Sequence, residues 1–217
     1  MQNKSAESAL VMQFAKWPEA GRVKTRLMPA LGELGALEAH ITLSLAVLNQ
    51  LSSSGCEVRF LWDRELPSVP EAATPIIKRI EALGLKQGVQ RGNVLGERME
   101  AAIADGLAEC PKALIIGSDC PSVDAGYIHQ ALQALDKADV VLGPSDDGGY
   151  VLIGARTHLV GMLDSVSWGT DRALAETLTR LDAVGLSCVQ LSPRWDVDEP
   201  EDWQRFVRQF PVDSQLP

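Results

Sequence analysis

Short apolar runs alternate with amphipathic stretches of helical period along most of this chain. An apolar run of strand length has to be covered on its faces. An amphipathic helix has one stripe to bury, so the arrangement that satisfies both is a layered α/β domain. Ala9 to Ala15 reads as the first strand, and Leu34, Leu37, Ile41, Leu45 and Leu48 recur at helical spacing, predicting a long helix from about Leu34 to Leu51. The same reading gives strands at Glu57 to Trp62, Ala113 to Ile116, Ala138 to Leu142, Tyr150 to Ile153 and Cys188 to Leu191. It gives helices at Thr74 to Leu83, Gly96 to Glu109, Ala125 to Leu135, Asp171 to Ala183 and Glu199 to Gln209. No repeat, low-complexity tract or linker interrupts the pattern, so residues 1 to 217 are expected to form one domain.

Composition excludes several classes of function. The formal charge of −9 argues against a general nucleic-acid binder, which needs a basic face for phosphates. The richest apolar stretch, Leu43 to Leu48, is far shorter than a membrane span, and the polar start lacks the pattern of a signal peptide. The cytoplasm is therefore the expected compartment. Cys56, Cys110, Cys120 and Cys188 show no zinc-type spacing and read as buried thiols, and the three histidines have no clustering that suggests a ligand role.

Four segments could carry chemistry. Phe14 to Leu27 leaves the first strand, turns through Pro18 and Gly21, and holds Lys16, Arg22, Lys24 and Arg26 against the single Glu19. Open α/β sheets bind ligands at such strand exits, and a cationic loop in an acidic protein suits a diphosphate. A solvated basic loop is the alternative. No Walker loop or dinucleotide glycine fingerprint is present. Leu114 to Pro121 is a buried strand ending in Gly117, Ser118 and Asp119, where a carboxylate could hold Mg²⁺ or Mn²⁺. Asp119 could instead cap the next helix, although Asp124 is better placed for that. Gly143 to Tyr150 sets Asp146 and Asp147 before Gly148 and Gly149, either for close approach of a ligand or simply as a hairpin turn. In Trp195 to Trp203, Glu199, Glu201 and Asp202 suit a helix N-terminus, whereas Asp196 and Asp198 could complete a metal site with Asp119. Glu97 and Arg98, opening a helix after Gly92, are minor candidates for substrate contact, as is Tyr150.

Together these segments resemble the nucleotide-diphospho-sugar transferase superfamily, the GT-A fold. Within it they resemble a bacterial glycosyltransferase-like family, one branch of which is associated with arsenosugar biosynthesis. The likeness rests on Phe-Ala-Lys…Gly-Arg-Val-Lys-Thr-Arg-Leu, Leu-Gly-Glu-Arg-Met, Gly-Ser-Asp-Cys-Pro, Gly-Pro-Ser-Asp-Asp-Gly-Gly-Tyr and Asp-Val-Asp-Glu-Pro-Glu-Asp. The Lys-Thr-Arg-Leu loop and the last motif are also similar to phospholactate guanylyltransferases and molybdenum-cofactor nucleotidyltransferases, whose run of small glycines after the first strand is missing here. The resemblance implies a three-layer α/β/α domain with a mixed, mostly parallel sheet. It implies a metal on Asp119 with Asp196 or Asp198, and phosphates on Lys16, Arg22, Lys24 and Arg26. Lys24 and Asp119 would act at the reacting phosphate, and Asp146 or Asp147 would hold sugar or acceptor hydroxyls. A nucleotide-sugar donor with a small-molecule acceptor is the expected chemistry; nucleotidyl transfer from a nucleoside triphosphate and non-catalytic nucleotide binding are the alternatives.

Overall fold

β1 (Ala9–Ala15) sits near the middle of the protein and shows why the chain layers as it does. Its side chains alternate between faces: Val11 and Ala15 enter one apolar cluster, Leu10 and Met12 the other. The computed structural model describes residues 8–210. The remaining strands are β2 (Glu57–Trp62), β3 (Lys86–Val89), β4 (Lys112–Gly117), β5 (Val140–Pro144), β6 (Tyr150–Ala155) and β7 (Cys188–Gln190). They form one sheet in the order β3-β2-β1-β4-β6-β5-β7. β6 runs antiparallel to its neighbours β4 and β5, and the other pairings are parallel, so the sheet is mixed and mostly parallel.

The helices are α1 (Met28–Ser52), α2 (Thr74–Ala82), α3 (Leu95–Glu109), α4 (Ala125–Ala134), α5 (Ala173–Ala183) and α6 (Pro200–Gln209). α1, α2 and α4 cover one face of the sheet through Val47, Leu48, Leu51, Ile76, Ile80 and Ile128. α3 and α5 cover the other through Met99, Ile103 and Leu181. The result is the three-layer arrangement expected. α6 joins neither layer. Phe206 packs with Trp195 and Val197 against Leu27, Ala36 and Leu43, which presses the segment before α6 onto the start of α1.

Most expected elements lie within one or two residues of those observed, with two informative differences. β3, Lys-Gln-Gly-Val, is a half-exposed edge strand with no apolar alternation to reveal it. α1 starts six residues earlier than its apolar spacing suggested, continuing through a kink at Gly32 (φ 73°, ψ 172°). With the preceding 3-10 turn, this helix is long and apolar enough to cross a membrane by length and composition. Here it lies on the sheet, with Leu43, Val47, Leu48 and Leu51 fully buried. Among the cysteines, Cys110 and Cys120 are buried as expected, whereas Cys56 and Cys188 are half-buried.

Candidate functional site

Strand order reverses at β1: β2 and β3 extend the sheet to one side, β4 and the later strands to the other. Ligand crevices form at such reversals, beyond the carboxyl ends of the strands. Phe14 stands opposite Gly117 in register, so the loop leaving β1 and the loop leaving β4 begin side by side. Between them opens a cleft of about 360 Å³, lined among others by Lys16, Arg22, Lys24, Arg26, Arg98 and Asp119.

The basic loop is held from below. Trp17 is buried, its backbone N–H donating to Asp63 Oδ1 (2.9 Å) and its indole N–H to the Arg64 carbonyl (2.8 Å). Val23 is also buried, while Arg22 before it is exposed and Lys24 after it turns inward. His40, buried on α1, bonds the Lys16 carbonyl through Nε2 at 3.0 Å. Burial lowers the His40 pKa, so the ring is a neutral brace. On the neighbouring side, Gln13 donates to the Ser44 carbonyl (2.9 Å) and to Ser118 Oγ (3.0 Å), and Ser118 donates to the Phe14 carbonyl (2.8 Å). These bonds fasten the ends of β1 and β4 to α1.

Lys24 is the centre of the site. Its side chain is 8% exposed, and Nζ donates to Asp119 Oδ2 (2.8 Å), Asp198 Oδ1 (3.1 Å) and the Val197 carbonyl (2.6 Å). Burial alone would lower the pKa of this ammonium, but Asp119 and Asp198 outweigh it and raise the pKa well above the usual lysine value. Burial would likewise raise Asp119, yet Lys24 holds its carboxyl down at about 2. The Lys24 backbone is left-handed (φ 46°, ψ 44°), a costly conformation for a residue with a side chain. Arg26 reaches Asp198 Oδ2 at 3.2 Å from the solvent side.

Beside this ion triad, Asp147, Asp196 and Asp198 bring one carboxylate oxygen each to within 4.8 Å of one another. Burial, then Asp119, Asp198 and Asp147, push the Asp196 carboxyl up to about 7. An all-carboxylate set under mutual repulsion fits a hard divalent cation such as Mg²⁺ or Mn²⁺. The grouping differs from the expected one. Asp119 faces Lys24, and Asp147 joins Asp196 and Asp198.

The structure sorts the remaining candidates. Asp124 caps α4, accepting from the Tyr127 N–H at 2.8 Å, which leaves Asp119 free of that duty. Glu199 and Asp202 form a capping box on α6. Arg98 lines the cleft, whereas Glu97 lies outside its lining and accepts from the Asn93 N–H at 2.7 Å. Asp146 to Gly149 do form the hairpin between β5 and β6, with the Gly149 N–H on Asp147 Oδ1 at 3.0 Å. The close approach at Gly148 is to the chain itself: a Cβ there would lie 2.2 Å from the Asp171 carbonyl. Tyr150 packs edge-on against Trp168 with its hydroxyl buried, and it lies outside the cleft lining. Asp146 is exposed at the hairpin tip and outside the cleft lining. The bracing roles of Gln13 and His40 escaped the sequence reading because single polar residues on apolar elements carry no motif, and Ser118 was visible only as part of the Gly-Ser-Asp-Cys-Pro segment.

Fold and strand order place the chain among the α/β nucleotidyl and nucleotide-sugar transferase folds. A provisionally described nucleotide-diphospho-sugar transferase from Desulfovibrio desulfuricans G20 superposes with a TM-score of 0.80 at 26% identity, covering 96% of this chain and 89% of that one. A nucleotidyl transferase from Methanothermobacter thermautotroptrophicus gives 0.64 at 15% identity, covering 94% and 98%. The 4-diphosphocytidyl-2C-methyl-D-erythritol synthase of Anaerococcus prevotii gives 0.55 at 13% identity, covering 95% and 100%. At such identities the last two show the fold alone. No curated protein matches the chain. Residues 52–170 match a family described as uncharacterized proteins conserved in bacteria (DUF2064), and the chain belongs to that family.

Proposed function

We propose that this protein is a metal-assisted transferase that takes a nucleotide-diphospho-sugar as donor and binds its phosphates in the cleft between β1 and β4. One observation carries the reading: in a chain of net charge −9, Lys16, Arg22, Lys24, Arg26 and Arg98 converge on one cleft beside Asp119 and Asp198. That arrangement suits a ligand that is polyanionic and metal-bound. The likeness to the Desulfovibrio protein supports a nucleotide-sugar donor.

In this mechanism Lys16 and Arg98, which carry no carboxylate partner among the described residues, take the outer phosphate oxygens. Arg22 and Arg26, exposed at the rim, add donors as the diphosphate settles. A divalent cation held by Asp198, with Asp119 or with Asp147 and Asp196, supplies electrostatic stabilisation of the charge on the departing diphosphate. The cationic loop adds to that stabilisation because its donors are fixed before reaction by Trp17 and His40. We further take the chain to work as one domain, since the seven strands of the described residues form one sheet, and to work in the cytoplasm.

A second reading, nucleotidyl transfer with release of pyrophosphate, is favoured by the position of Asp147. It stands with Asp196 and Asp198 and not in the cleft lining, where it would meet acceptor hydroxyls. A nucleotide-sugar labelled in the sugar, incubated with Mn²⁺ and candidate acceptors, separates the two. Label in the acceptor with release of nucleoside diphosphate supports the first. Pyrophosphate from a nucleoside triphosphate without sugar transfer supports the second. Nucleotide binding with neither product leaves a nucleotide-binding protein.

A further inference from the structure

We infer that Lys24 is a built-in stand-in for the divalent cation: its ammonium holds the position between Asp119 and Asp198, and a cation binding there displaces it toward the ligand's phosphates. The inference deepens the reading of the cleft as a metal-assisted nucleotide site and rests on it.

An ammonium has three N–H donors, and those of Lys24 are matched by Asp119, Asp198 and the Val197 carbonyl. None is left over for a phosphate in this state, although Lys24 lines the cleft. Its partners, two carboxylates and a backbone carbonyl, are the oxygen donors a hard cation takes, here gathered around a nitrogen. The exposed cations of the same loop, Lys16, Arg22 and Arg26, contrast with this buried one. Backbone strain points the same way. Lys24 is held left-handed, and the ion contacts offset the cost, so withdrawing the carboxylates frees the loop to relax. Asp198 is common to both arrangements, lying in the Asp147–Asp196 group as well. An entering cation therefore competes directly for an oxygen that Lys24 holds.

The test uses wild-type protein with Mn²⁺ alone, followed by electron paramagnetic resonance, and an amine-reactive ester read out by mass spectrometry. Lys16 serves as the exposed reference. Lys24 should be protected without the ion, become about tenfold or more reactive with saturating Mn²⁺, and be protected again when a nucleoside diphosphate is added. Lys24→Met should bind Mn²⁺ about tenfold tighter than wild type in the absence of nucleotide. Mn²⁺ binding to wild type with Lys24 still protected overturns the inference, and so does equal Mn²⁺ affinity in a folded Lys24→Met. If that variant fails to fold, the footprint on the wild type decides. Mn²⁺-dependent nucleotide binding by wild type is scored separately. Its presence with an immobile Lys24 leaves the proposed function standing and removes only this inference, whereas its absence removes both.

Discussion

Trp17 lies flat on Trp62, with ring centroids 3.8 Å apart and planes within 4°, which ties the root of the basic loop to the end of β2. Both rings are buried, so the stack is part of the core as well as the floor of the loop. Trp17→Ala removes that area together with an indole N–H bond and should cost about 3–5 kcal/mol of unfolding free energy. Nucleotide affinity measured by calorimetry on the folded fraction should fall too, because Lys16 and Arg22 lose their anchor. Unaltered affinity in the folded variant would show that the loop positions itself without Trp17.

The exposed cations allow binding to be separated from folding. Lys16→Ala touches no ion pair among the described residues and should leave the urea midpoint unchanged. Nucleotide binding should weaken by about 1–3 kcal/mol, the range for a hydrogen bond to a charged group. Arg26→Ala should show a loss of the same order, tempered because Asp198 loses a partner and is freer to bind metal. Full affinity in both variants would reduce the loop to a solvated surface.

Asp119→Asn keeps an oxygen for Lys24 but removes the charge that balances it. The variant should fold with a lowered melting temperature and lose Mn²⁺-dependent nucleotide affinity. Asp147→Asn should weaken Mn²⁺ binding to the protein alone, since its carboxylate belongs to the Asp196–Asp198 group. Normal Mn²⁺ affinity with a raised KM for the acceptor would instead return Asp147 to holding hydroxyls.

Asp139, before β5, sets a pH dependence away from the site. The Ser187 hydroxyl and N–H, followed by Arg156, hold its carboxyl below the usual carboxylate value. A depressed folded-state pKa gives a contribution that is fully present above the usual carboxylate value. It is lost as pH falls through that value to the folded one. Stability measured from neutral pH downward should therefore decline less steeply in Asp139→Asn than in wild type. Parallel acid limbs would show that the Ser187 and Arg156 contacts are equally strong around a protonated carboxyl.

The layers of the fold were legible because its strands and helices are long and periodic, as in Ala9–Ala15 and Leu95–Glu109. β3 was not, since an edge strand with little burial needs no apolar pattern. At the site, the cationic loop and the acidic pair Asp196 and Asp198 were visible as local composition. Their pairing was not. The Val197 carbonyl that receives Lys24 is a backbone atom with no sequence signature, and nothing local says that Asp147 faces Asp196 while Asp119 faces Lys24. The acidic start of α6 was readable for the opposite reason: Glu199, Glu201 and Asp202 lie within one helical turn, where the structure adds a capping box of Glu199 and Asp202.

Lys24 and the Val197 carbonyl are 173 residues apart in sequence, yet only 2.6 Å apart in space. Loop closure over such a span is entropically costly and has to follow the local folding of β1 and α1. A nascent chain can assemble most of the sheet before residues 195–198 emerge, but it has no enclosure for the Lys24 ammonium until they dock. The full set of bonds at Lys24 thus reports completed folding, and a chain halted before residue 195 would leave its ammonium with Asp119 but without Asp198 and the Val197 carbonyl.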